Sequence, residues 1–356
     1  MGKRFHFFRG VFGSQGKNNM NRTTISLDEK KNSQSTISTT NYCAQIISPG
    51  KIVFVETTVP EIGPTEILIR MEGCGVCGSN LPLWEGRPWF SYPLEPGAPG
   101  HEGWGRVVAV GKEVDMFKPG ERVAALSFHG FALFDKVDQS CAVLIPEELD
   151  QCPFPGEALG CAMNVWERSK IEPGQQIAII GVGFLGGLLC QLAIRSGVSV
   201  VAFSRRRFAL QTAEECGVKH TCFLGELSES VESVKQIFGK GCDCVIEATG
   251  FQYPLTVAGA LLKNNGRLII AGYHQDGMRQ IDMQQWNWKG IDVINAHERD
   301  SNRYIQGMKA AVNAILDNRL EPQLLYSHIF PLEWLGEAFE LMKNRPEGFM
   351  KTLVTL

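Results

Sequence analysis

Residues 176–193 constrain the fold of this chain more than any other stretch. A continuously apolar run, Gln176-Ile-Ala-Ile-Ile, passes directly into Gly181-Val-Gly-Phe-Leu-Gly and then into the apolar stretch Gly187-Leu-Leu-Cys-Gln-Leu-Ala. A short run without a polar face reads as a strand buried on both sides, as in a parallel sheet. The G-x-G-x-x-G pattern is weak in isolation. Between such a strand and such a helix it has a physical reading. Gly181 permits the tight turn, Gly183 lets the backbone approach a diphosphate, and Gly186 allows close helix–strand packing. The helix N-terminus then offers oriented N–H groups to phosphate. A βα turn whose small residues serve packing alone is the competing reading.

The same rhythm continues along the chain. Ala158–Lys170 reads as a helix, Val198–Phe203 as a strand followed by a helix to about Cys216, and Asp243–Glu247, Arg267–Ala271 and Ile291–Asn295 as further strands. Strands and helices alternating at this spacing predict a doubly wound parallel sheet. Residues 41–155 differ. Short β-like runs (43–47, 51–55, 66–70, 106–110) are punctuated by Pro, Gly and Thr without helical alternation, which predicts a compact β-rich domain. Two helical patterns, 303–318 and 332–344, and a strand, 350–355, close the chain, and that last strand is placed to return to the first domain. The fold class is therefore α/β, with divisions at 41–158, 159–300 and 301–356.

A dinucleotide site of this kind is tuned at the end of its second strand. An acidic residue about twenty positions past the first glycine would bind the ribose hydroxyls of NAD. Here the strand ends Phe203-Ser-Arg-Arg-Arg, without an acid. Ser204, with Arg205 and Arg206 behind it, suits a 2′-phosphate, because guanidinium groups make charge-assisted bonds to phosphate. This predicts NADP(H) as the preferred cofactor, with NAD(H) still usable. A solvated basic turn is the alternative.

Taken together, Gly73-Cys-Gly-Val-Cys-Gly-Ser, Gly100-His-Glu, Pro119-Gly-Glu-Arg-Val, the glycine loop and Val245-Ile-Glu-Ala-Thr-Gly resemble the medium-chain dehydrogenase/reductase superfamily, in its zinc-containing alcohol and polyol dehydrogenase branch. The motifs occur in that family's order across residues 41–356. The resemblance implies a GroES-like β-rich catalytic domain closed by the C-terminal segment, a Rossmann domain, and an active site between them. It further implies hydride exchange between a nicotinamide dinucleotide and a small alcohol or carbonyl compound, Thr249 at the cofactor, and a homo-oligomer, dimer or tetramer, in the cytoplasm.

By the same resemblance, Cys77 and His101 are ligands of one catalytic Zn2+, and Glu102 is the glutamate that sits beside the metal and in some members binds it. Glu157 falls where polyol dehydrogenases carry a further ligand, with Cys161 competing for that place. Ser79 passes the substrate proton. Three departures stand out. No cluster of four cysteines is present, so no structural zinc is expected. Asn80 replaces the usual aspartate, and its amide oxygen is expected to accept the imidazole N–H of His101. Pro82 replaces a histidine that often ends the proton relay, leaving His129, His274 and His297 as unranked candidates. Trp84, Trp89 and Phe90 are assigned either to the substrate pocket or to the β-domain core.

Bulk properties exclude other classes. A net charge of −3 gives no global attraction to nucleic acid or an anionic membrane, and no apolar run reaches the length of a membrane span. The eleven cysteines form no repeating framework and read as reduced thiols rather than a disulfide scaffold. Residues 1–40 are basic and polar without periodicity, and read as a disordered extension rather than a targeting peptide. Two rivals are weighed against the zinc enzyme: a zinc-free NADPH-dependent enone or quinone reductase, and a non-catalytic nucleotide-binding protein. The Cys and His ligands disfavour both.

Overall fold

The computed structural model describes residues 39–356, so the reading of the basic extension concerns residues outside the described ones, except that Thr40 already belongs to the first strand. β1 (Thr40–Ser48) and β2 (Lys51–Thr58) form an antiparallel hairpin. β3 (Glu66–Val76), a one-turn α1 (Leu81–Trp84), β4 (Glu102–Val110), β5 (Arg122–Ala125), β6 (Phe134–Asp138) and β7 (Ala142–Leu144) follow. After them come α2 (Gly156–Ser169), β8 (Gln176–Ile180), α3 (Phe184–Arg195), β9 (Ser199–Ser204), α4 (Arg207–Glu215), β10 (His220–Phe223), α5 (Leu227–Phe238), β11 (Cys242–Glu247), α6 (Gln252–Leu261), β12 (Leu262–Ile270), α7 (Met283–Lys289) and β13 (Asp292–Asn295). α8 (Ser301–Leu316), β14 (His328–Pro331), α9 (Leu335–Asn344) and β15 (Thr352–Thr355) end the chain.

β8 to β13 make a six-stranded parallel sheet in the order β10-β9-β8-β11-β12-β13. That is a doubly wound sheet whose strand order reverses between β8 and β11, so a crevice opens at their carboxyl ends. β8 is apolar from its second residue on because it has no free face there: Ile177, Ala178, Ile179 and Ile180 are all fully buried. The second sheet has seven strands, β14-β15-β3-β4-β5-β7 with β6 also on β3. The C-terminal strand β15 lies antiparallel to β3, pairing Thr352 with Val76 and Thr355 with Gly73. The end of the chain thus joins the sheet that holds β3. α8 packs instead on α2, and the chain rejoins the β-rich sheet only from β14 onward.

Both sheets share a core. One cluster runs from Trp104 and Ala124 through Phe154 and Leu159 to Ile177 and Ile179. α9 shows why its sequence is helical: Leu335, Ala338, Phe339 and Met342 recur at one-face spacing and are all buried. Several elements escaped the sequence pattern, namely β10, α5, α6, α7 and β14. β10 is half exposed at the sheet edge and lacks a continuous apolar run, and α7 spans only 7 residues.

The turn from β8 to α3 sets the shape of the crevice. Gly181 has φ of +100°, and a side chain at Gly186 would meet the Gly181 carbonyl oxygen at 2.0 Å. Gly186→Ala should therefore lower stability by about 1–3 kcal/mol through overpacking, against the ~1 kcal/mol that alanine adds to an ordinary helix position. Urea unfolding would measure it, and an unchanged midpoint would show that the turn can relax.

Candidate active site

β3 runs out at Val76 and hands the chain to Cys77 and a 3-10 turn, Gly78–Asn80, fastened where Cys77 N–H donates to Asn80 Oδ1 at 3.3 Å. The neighbouring strand β4 starts at Glu102, which pairs with Gly75. Gly75 is required there, because a Cβ would lie 1.7 Å from Glu102 Oε2. This register brings one donor atom each of Cys77, His101 and Glu102 within 4.8 Å of one another. Glu102 is fully buried. One of its oxygens accepts from Lys351 Nζ at 2.5 Å, while Oε1 has no hydrogen-bond partner among the described residues. A thiol, an imidazole and a buried carboxylate with an orphaned oxygen make a mixed S, N and O set that suits a zinc ion.

The electrostatics agree. Burial alone would lower the pKa of His101, yet the Cys77 thiol bond, and the charges of Cys77, Glu157 and Glu102, push it up to about 10. The cluster therefore favours positive charge at its centre. Burial raises Glu157, helped by Glu102 and opposed by His101, Lys351 and a bond from Tyr304. Glu157 and Cys161 line the same cleft from α2, without joining the three-donor group. Ser79 Oγ lies 3.3 Å from Cys77 Sγ and 3.5 Å from His101 Nε2.

The expectation for Asn80 needs correction. His101 Nδ1 lies 3.0 Å from the Pro99 carbonyl and 3.4 Å from Asn80 Nδ2. The carbonyl takes the ring N–H, since the Asn80 oxygen is engaged by Cys77 N–H. The amide instead spans the turn, donating to Pro99 O at 3.4 Å.

Across a cleft of about 830 Å³ stands the glycine loop: Gly181, Gly183, Gly186, Ser204, Arg205, Arg206 and Thr249 all line it together with Cys77, Ser79 and His101. A Cβ at Gly183 would meet nothing within 4 Å, which leaves open space above the start of α3, whose N-cap has no side-chain hydrogen bond. Free first-turn N–H groups facing a cleft suit a phosphate. Thr249 is held by the buried Glu247, which accepts from Thr249 N–H at 2.7 Å, Gly250 N–H at 3.0 Å and His274 at 3.0 Å. Arg205 is exposed in the cleft. Arg206 is committed elsewhere: its guanidinium donates to Val182 O at 3.2 Å and to Phe349 O.

Other residues separate cleanly. Trp84 is core, stacked 4.9 Å from Phe339 and donating to Glu340 at 2.7 Å. Phe90 packs against the same cluster, and Trp89 is 59% exposed. None of the three lines the cleft, so their pocket reading falls. Of the three histidines only His297 lines it, packed 5.4 Å from Tyr273. His129 pairs with Glu95 at 2.8 Å, and His274 serves Glu247. Sequence reasoning missed Lys351, Tyr304, Arg299 and Arg345, all cleft residues. The one available signal was a lysine inside the strand-like run Met350-Lys-Thr-Leu-Val.

Lys351 is the only cation bonded to Glu102 among the described residues. In protein stripped of metal, Lys351→Met is expected to cost about 3–5 kcal/mol, because it leaves a buried carboxylate unpaired. Adding Glu102→Gln should recover part of the loss. Denaturant unfolding of the three proteins reads this directly, and equal stability throughout would show the pair to be hydrated.

The comparisons with known proteins agree with this geometry. A zinc-binding dehydrogenase profile matches residues 185–313, and an alcohol dehydrogenase GroES-like domain profile matches residues 63–185. Mouse (Mus musculus) sorbitol dehydrogenase is 25% identical over 85% of this chain and 93% of its own. D-xylulose reductase of Saccharomyces cerevisiae is 27% identical over 89% of this chain and 98% of its own. A dehydrogenase structure from Sinorhizobium meliloti, bound to NADP, superposes with a TM-score of 0.75 at 26% identity, covering 90% of this chain and 100% of its own. The chain is an oxidoreductase of the alcohol dehydrogenase type and belongs to the medium-chain dehydrogenase/reductase superfamily, in its zinc-containing alcohol and polyol dehydrogenase branch.

Proposed function

We propose that this protein is a zinc-dependent oxidoreductase exchanging hydride between NADP(H) and a polyol or related alcohol and its carbonyl form. The observation that carries the reading is that the Cys77–His101–Glu102 donor group and the glycine loop open onto one cleft. When bound, zinc supplies Lewis acidity to the substrate oxygen, and the nicotinamide supplies or accepts the hydride. Cys77, His101 and Glu102 would hold the metal, with Glu157 in reserve on the same cleft. Ser79, with its hydroxyl beside both Cys77 and His101, holds the substrate hydroxyl proton and passes it on. His297 is the histidine placed to receive a proton in the cleft. Partial desolvation, with the charge of Arg299, lowers its pKa and so favours the neutral, proton-accepting form. The buried Lys351 donates to one oxygen of Glu102 and holds that carboxylate beside the metal position. The polyol class rests on the sorbitol and xylulose relatives.

NADP(H) over NAD(H) rests on the cofactor wall. Ser204 is buried at the end of β9 and accepts from Arg206 N–H at 3.2 Å, where an acid would repel a 2′-phosphate. Arg205, exposed in the cleft, is the group that would bind that phosphate. Arg207 starts α4 and does not line the cleft.

Two experiments test the reading. Metal analysis should find close to one equivalent of zinc per chain, and Cys77→Ser should lose zinc and turnover while retaining dinucleotide binding. Two tightly held equivalents, or none after purification without chelators, contradict it. For the cofactor, kcat/KM with NADPH should exceed that with NADH. Ser204→Asp combined with Arg205→Ala should reverse the preference by about tenfold or more, the worth of one charge-assisted bond. A wild type that already prefers NADH would make Arg205 a solvated surface charge.

A further inference from the structure

Arg345 lies at the end of α9, on the segment that leads into β15. Its backbone closes the helix in the left-handed region, with φ of +44° and its N–H donating to Leu341 O at 2.9 Å. That backbone task needs no guanidinium, since glycine performs it without strain. The side chain is engaged only through Nε, donating to Met342 O at 3.3 Å, and it has no carboxylate partner among the described residues. It reaches into the cleft, where Nη2 is the atom nearest to a side chain built at Gly78, at 3.9 Å. Gly78 is the residue after Cys77, so Arg345 fills the space that a longer residue on the metal loop would occupy.

Arg345 also faces the cofactor wall. Its charge is near enough to help burial depress the pKa of Arg206. Arg206 in turn fastens the two sides together. By donating to both Val182 O in the glycine loop and Phe349 O, it pins the segment that carries Arg345 against the mouth of the phosphate turn. Two like-charged guanidinium groups are thus held near one another, with the Glu347 charge opposing their repulsion at Arg206, beside a helix N-terminus with uncapped N–H groups and open space over Gly183. Such an arrangement is electrostatically unfavourable when empty and is relieved by an anion.

We infer that Arg345, contributed by the C-terminal segment, is a cofactor-binding residue that grips the diphosphate of the nicotinamide dinucleotide from across the cleft. The inference rests on the dinucleotide reading above, and deepens it. Because the diphosphate is common to both cofactors, Arg345 contributes affinity without choosing between them, whereas Ser204 and Arg205 choose.

The test is fluorescence titration of the zinc-loaded protein with NADH and with NADPH, for wild type, Arg345→Gly and Arg345→Lys. Glycine suits the backbone at this position, so the variant should fold, and its Tm and zinc content should match or exceed wild type. Loss of one charge-assisted bond should raise Kd for both cofactors by about tenfold or more, in equal ratio. Lysine should recover part, since it keeps the charge but not the two-pronged geometry. A loss confined to NADPH would place Arg345 on the 2′-phosphate and overturn the assignment. Unchanged affinity for both would reduce it to a helix cap. A wild type that binds neither cofactor would overturn the dinucleotide reading itself.

Discussion

The Lys351 ammonium is almost wholly buried at the edge of the cleft, and much of the cleft is arranged around it. It is 5% exposed, it donates to Glu102 and to the Val76 carbonyl, and it sits 4.9 Å above the ring of Phe184 at the start of α3. Burial alone would lower its pKa, but Glu102, Cys77 and Glu157 raise it, so it stays charged. Removing an ammonium and a carboxylate from water costs several kcal/mol each, which only close pairing and further hydrogen bonds offset. The pair therefore demands that β15, the end of β3, the start of β4 and the glycine-loop helix meet at one point. The loop that carries Cys77 and the glycine loop, built on separate sheets, are registered against each other by that demand.

A buried carboxylate and a half-buried guanidinium extend the same logic along the cleft. Glu247 ends β11 with no exposure and gathers the N–H groups of Thr249 and Gly250, shaping the loop opposite Gly181. Arg206 gives its guanidinium to backbone carbonyls of the glycine loop and the C-terminal segment rather than to solvent. Each is a polar group whose burial is tolerated because its partners are fixed, and each partner is a loop that touches the cleft. Hydride transfer requires donor and acceptor carbons held within about 3–3.5 Å. A cleft with walls set by buried ionic and hydrogen-bonded contacts meets that requirement better than one set by surface loops.

Much of this was legible in the residue order. The strand–GxGxxG–helix unit, the βα alternation and the return of the last strand follow from periodicity and turn chemistry, and the parallel sheet has the order those features demand. The candidate metal donors Cys77, His101 and Glu102 came from the resemblance of their motifs to a known family, and the structure brings one donor atom of each within 4.8 Å of the others. Local pattern failed where burial is decided by distant partners. Trp84, Trp89 and Phe90 share one stretch of sequence, yet Trp84 stacks on Phe339 and Trp89 faces solvent. The three candidate histidines could not be ranked, because their surroundings come from three different elements.

The sequence by itself determined the doubly wound sheet, the glycine loop and the missing acid at Ser204, and it carries the motifs whose family resemblance singles out Cys77, His101 and Glu102. These are properties of short segments, in which side-chain type and spacing dictate the local backbone. Only the tertiary structure decided that Glu102 would be paired from Lys351, 249 residues away, that Pro99 rather than Asn80 would take the imidazole N–H, and that Arg206 would staple while Arg205 stayed free. Those outcomes depend on which strands pair, since the β15–β3 and β3–β4 registers set which side chains lose water together. No local stretch encodes the partner that compensates a buried charge.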